Sequence, residues 1–73
     1  MNEKLKREFK NKIRRLRNAK GPVSAIVCRG ECLGFIDALL AVGTISDYHH
    51  ACFRVGISHC YNIVCDAHPK WLL

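Results

Sequence analysis

Between Asn2 and Lys20 the chain has four large apolar residues, Leu5, Phe9, Ile13 and Leu16. Their spacings of four, four and three are the period of one helical face. The positions between them are almost all Lys, Arg, Glu or Asn, so the segment can bury only a narrow stripe. Lys, Arg and Glu favour helix, and Gly21-Pro22 supplies a firm stop. The pattern predicts an amphipathic helix over residues 3–19, about 25 Å long.

The same stretch holds most of the positive charge. Residues 1–20 carry nine Lys and Arg against Glu3 and Glu8, a net of +7, whereas residues 21–73 carry three cations against four acids, a net of −1. The chain therefore divides into a basic amphipathic helix, 1–20, and a near-neutral body, 21–73. With 73 residues it has room for one domain. A domain this small buries only about 60% of the surface its unfolded chain exposes, so a partner or a homodimer is a reasonable expectation. A hydrophobic content of 49% argues against disorder.

In the body, two readings of residues 23–42 compete. In one, Val23 to Val27 is a short strand followed by a helix from Glu31 to Val42. In the other, Ser24 caps one long helix with Ile26, Val27, Leu33, Ile36, Leu39 and Leu40 on one face. A helix through most of the segment, with a break near Gly30, is the favoured reading, and Gly43 suits its C-terminal stop. Ser46 or Asp47 can cap a second helix that places Tyr48, Cys52 and Val55 together, which makes an αα-hairpin. Gly56-Ile57-Ser58 repeats this glycine–apolar–serine punctuation and predicts a second turn. A short C-terminal helix through Tyr61, Ile63, Val64 and Cys65 would follow, ended by Pro69, with the apolar tail Trp71-Leu72-Leu73 folding back. The expected fold is a small all-α domain: a basic N-terminal helix, an αα-hairpin and a short C-terminal helix.

Four kinds of chemistry can be weighed on these residues. Lys6, Arg7, Lys10, Arg14, Arg15 and Arg17 would meet phosphates or an acidic protein surface, and Phe9 and Ile13 would supply apolar contact. Residues Ala51 to Ser58 resemble the first helix and turn of a helix-turn-helix, with Cys52 as the small residue and Gly56 as the turn glycine. A recognition helix from Ser58 would then present His59, Tyr61 and Asn62 to base edges. It departs from the motif in having Asn62 at the apolar anchor position and no Lys or Arg on the reading helix. For zinc, Cys28, Cys32, Cys60, Cys65 and His68 are the available ligands, but their spacing is not that of a finger, ribbon or knuckle and there is no CxxC. For catalysis, Cys52 with His49 and Cys60 with His59 can be paired on paper, without an oxyanion-hole glycine pattern to support them.

The function expected from the sequence is that of a non-enzymatic interaction protein, without cofactor. It would bind an acidic protein or nucleoprotein through its basic helix, as a small phage or mobile-element accessory protein or inhibitor does. A nucleoprotein, nuclease or CRISPR-type complex of the host would be a sensible target. A nucleic-acid-binding regulator with a degenerate helix-turn-helix is the alternative, and a zinc-stabilised module the second. No run of 18 apolar residues suggests a membrane span. The odd number of cysteines, five, with no signal-peptide pattern, reads as reduced thiols in the cytoplasm.

Overall fold

In the computed structural model, which describes residues 1–72, three helices and a closing 3-10 turn follow one another: α1 (Glu3–Arg17), α2 (Pro22–Ala41), α3 (Asp47–Asp66) and the turn Pro69–Leu72. The protein is a small all-α domain, and four of its six helix ends have a local cause described by a cap, a proline or a glycine. Asn2 caps α1, its side chain accepting a hydrogen bond from the Leu5 amide at 2.8 Å. Gly21 is the N-cap of α2 and Pro22 its first residue, where a missing N–H costs nothing. Gly43 adopts φ +77°. The Thr44 amide then donates to the Leu39 carbonyl at 2.9 Å and the Gly43 amide to the Leu40 carbonyl at 3.0 Å, the paired bonds of a Schellman stop. Ser46 caps α3 by accepting from the His49 amide at 3.1 Å.

The helix favoured for most of residues 23–42 forms, and four finer readings change. No strand forms at 23–27, because Pro22 starts a helix there and Ala25, fully buried, faces the interior. Gly30 does not break α2, and Ser24 lies inside it rather than at its cap. Gly56-Ile57-Ser58 makes no turn: α3 runs through it unbroken, so the expected short C-terminal helix is the second half of α3. The reason is a continuous inward face formed by Phe53, Ile57, Cys60, Tyr61 and Val64 across the glycine. Burying that face outweighs the roughly 1 kcal/mol that a helical glycine costs.

The core draws on all three helices. Leu16 of α1, Cys32, Ile36 and Leu39 of α2, Ile57 of α3 and Ile45 of the connection form one buried cluster. A smaller one joins Ala19, Ala25 and Val64, with Tyr61 and Trp71 packed against it. The tail thus folds back through Trp71, whose ring stacks on His68 at 4.3 Å, while Leu73 lies outside the described residues. The buried face of α2 is the expected one over its second half, where Ile36 and Leu39 are buried and Leu33 and Leu40 pack against the core, and departs from it in the first half. Ala25, Cys32, Ile36 and Leu39 point inward, whereas Ile26 and Val27 are half exposed to solvent.

Candidate docking surface

The α1 stripe is used first for folding. Leu16 is fully buried, and Leu5, Phe9 and Ile13 are half-buried against the core. Phe9 lies between one ring from each of the other helices, its centroid 6.1 Å from Phe35 and 5.2 Å from Phe53. The basic helix and the body therefore share one core. Phe9 and Ile13 still reach the surface along their outer edges, where they line shallow concavities with Lys10, Arg14, Arg17 and Asn18.

The cations of α1 fall into two sets. Lys12 and Arg15 turn toward α2. The Lys12 ammonium sits 5.4 Å from the Phe35 ring centroid, and Arg15 pairs with Glu31 at 3.1 Å. Lys6, Arg7, Lys10, Arg14 and Arg17 are exposed and, at 100° per residue, share an arc of about 100°. Glu3, at the far end of this ridge, pairs with Lys6 at 3.4 Å, an exposed contact of little energetic weight. Glu8 projects from another side of the helix. Among the described residues, Arg7, Lys10, Arg14 and Arg17 have no carboxylate within ion-pair distance. Of the eight residues expected to contact a partner, Arg15 is engaged internally, five form the ridge, and Phe9 and Ile13 border it.

Beside the ridge runs a groove between α1 and α3. One part is lined by Phe9, Ile13, Cys52, Phe53, Gly56 and Cys60. It continues, sharing Ile13 and Cys60, past Arg17, Ile63, Ala67 and His68. Nothing lies within 4 Å of where a Cβ on Gly56 would be, so the α3 wall is hollowed at that point.

The other sequence-derived sites do not assemble. Among the described residues no three His, Cys, Asp or Glu side chains are placed to hold a metal ion together, so Cys28, Cys32, Cys60, Cys65 and His68 form no ligand set. All five cysteines are free thiols, Cys32 buried and Cys52 exposed. Burial, with the neighbouring Cys28, pushes the Cys32 thiol above its ordinary pKa. A hydrogen bond with the Cys65 side chain raises Tyr61, with desolvation second. Continuity of α3 removes the helix-turn-helix corner and with it a separate recognition helix. Tyr61, assigned to base reading, instead lies under the Arg29 guanidinium, 4.5 Å from its ring centroid. That ring face meets Arg29, whose buried Nε has no hydrogen-bond partner. No hydrogen bond joins Cys52 to His49 or Cys60 to His59 among the described residues.

Sequence reasoning missed the contacts that tie the helices together. His50 of α3 meets Asp37 of α2 at 2.6 Å, and Arg29 covers Tyr61. Neither pair has a local signature, because the partners lie 13 and 32 positions apart. Among the described residues no helix is long and apolar enough to cross a membrane. Comparison with protein-family models, curated proteins and solved structures finds no match. The fold and surface define a small three-helix domain with one cationic face.

Proposed function

We propose that this protein is a non-enzymatic docking module that engages an acidic macromolecular surface through the ridge Lys6, Arg7, Lys10, Arg14 and Arg17. One observation carries the reading: the ridge works against the helix that bears it. Lys6–Lys10, Arg7–Lys10, Lys10–Arg14 and Arg14–Arg17 are like-charge neighbours three or four residues apart. Each such pair destabilises a helix by about 0.2–0.5 kcal/mol, so the four together cost about 1–2 kcal/mol. A domain of this size has only about 4–11 kcal/mol in total. Arg14 and Arg17 recover part of this at the negative end of the helix dipole and Glu3 offsets part beside Lys6, but Lys10, between them, has neither compensation. Solubility needs charge of mixed sign, not a one-sided ridge. An acidic partner offsets the repulsion and gains long-range steering.

The half-exposed edges of Phe9 and Ile13 beside the ridge favour a protein partner over a bare phosphate backbone. An accessory or inhibitory role on a larger complex fits such a module. Five free thiols fit the reducing cytoplasm.

The test separates position from total charge. Lys10→Glu/Arg14→Glu/Arg17→Glu and Lys4→Glu/Arg54→Glu/Lys70→Glu make the same change in net charge, the first on the ridge and the second off it. On immobilised poly-L-glutamate the ridge variant is expected to elute at markedly lower salt than the off-ridge variant. Equal elution of the two would remove the ridge as the docking site.

A further inference from the structure

Resting on the docking role proposed above, we infer that the groove between α1 and α3 receives an acidic amphipathic helix of a partner protein, which completes a four-helix bundle. The α3 wall presents Cys52, Gly56, Ile63 and Ala67, residues that recur at helical spacing on one side. Ile63 is 55% exposed, a large apolar side chain on the groove wall with no cover. Phe9, Ile13, Phe53 and Cys60 make the half-buried floor. The missing Cβ of Gly56 lets another helix backbone come close at mid-groove.

From Cys52 to Ala67 the wall is about 22 Å long, the length of roughly 15 helical residues. The occupant that fits is a helix with apolar residues at i, i+4, i+7 and i+11 toward the floor. Its Asp or Glu residues would lie along the flank facing Lys10, Arg14 and Arg17. No acid opposes it from α3, whose carboxylates, Asp47 and Asp66, stand at the helix ends.

Two other occupants fit less well. A nucleic-acid backbone would neutralise the ridge but leave the apolar floor uncovered. Bases would find no free aromatic platform there, since Phe9 is already held between Phe35 and Phe53. A second copy lacks the needed helix. α1 is cationic, and α2 and α3 each carry only two acids, with Glu31 and Asp37 of α2 already engaged by Arg15 and His50.

The probe is a synthetic helical peptide of about 18 residues with leucines at this spacing and glutamates on one flank. Its binding to the full chain is followed by fluorescence anisotropy, beside a lysine-for-glutamate version, a scrambled version and a DNA duplex of about 20 base pairs. Gly56→Leu projects a side chain into the groove from a position whose Cβ would meet nothing within 4 Å, and Ile63→Glu, on an exposed wall position, places an acid in it. The acidic peptide is expected to bind at least about tenfold tighter than its controls and the duplex, and each groove variant to weaken it about tenfold. Both variants should keep wild-type elution from poly-L-glutamate, or nearly so for Ile63→Glu. Equal binding of the lysine or scrambled peptide, tighter binding of the duplex, or indifference to both groove variants overturns the inference. Unchanged ridge-dependent elution in those cases leaves the docking role standing; loss of the elution difference between ridge and off-ridge variants removes the docking role itself.

Discussion

Truncating Leu16 measures how firmly the basic helix belongs to the core. Its side chain has no solvent exposure and lies in one buried cluster with Cys32, Ile36 and Ile57, so a Leu16→Ala cavity would be walled by both other helices. Leu→Ala changes at such sites cost about 2–5 kcal/mol, the transfer energy of the lost methyl groups plus a cavity contribution. Taking about 3 kcal/mol, and about 4–8 °C per kcal/mol for a domain of this size, the melting temperature should fall by roughly 12–24 °C. The total stability of a chain this long is about 4–11 kcal/mol, so the variant stands near the limit of folding. Far-UV circular dichroism during heating and in urea reads the change, with exposed Arg14→Ala as the control expected within about 0.5 kcal/mol of wild type. A fall below about 4 °C for Leu16→Ala would refute the packing of α1, because a helix merely tethered to the body loses nothing when its stripe is trimmed.

Gly56→Ala should raise the melting temperature, by up to about 1 kcal/mol of stability, since the residue is helical and its new methyl group meets nothing. Gly43→Ala should lower it, because φ is +77° there; a loss at Gly56 instead would show that a corner forms at that position. Alkaline pH should destabilise the fold. Cys32 and Tyr61 both hold their protons more tightly when folded, so their stabilisation is complete below the ordinary values of 9.0 and 10.0 and is lost as pH rises through the raised folded values. The urea midpoint should therefore fall as pH climbs from about 8 toward 11, and a flat or rising midpoint would contradict this assignment.

Local signals were the readable ones. The stripe on α1, the Gly21-Pro22 junction, the Gly43 stop and the Ser46 cap each depend on a few consecutive residues, and each is where its chemistry placed it. Gly56-Ile57-Ser58 has the same local grammar as the loop at Gly43 but is helix. What distinguishes the two is nonlocal: Phe53, Ile57 and Cys60 have α1 and α2 to pack against, and one straight helix keeps them on one face. Val23 to Val27 could also be read as a strand, and the small Ala25, which α2 buries, carried little hydrophobic signal to decide between the two readings. On the candidate docking surface, charge was legible and orientation was not. A stripe on a single helix does not say whether Phe9 meets its own body or a partner; that depended on Phe35 and Phe53, distant in sequence. Nor could the cysteines be told apart by spacing, because whether they converge depends on how the helices cross.

In the proposed reading α1 divides its labour, with its stripe folding the domain and its ridge docking it. Titrating isotope-labelled protein with poly-L-glutamate, while following backbone amide and side-chain resonances by NMR, locates the contact directly. The largest shifts should map to Lys6, Arg7, Lys10, Arg14 and Arg17, while the outward face of α2 at Val23, Val27 and Gly30 stays silent. Shifts spread evenly over all surface cations, or centred on α2, would contradict it.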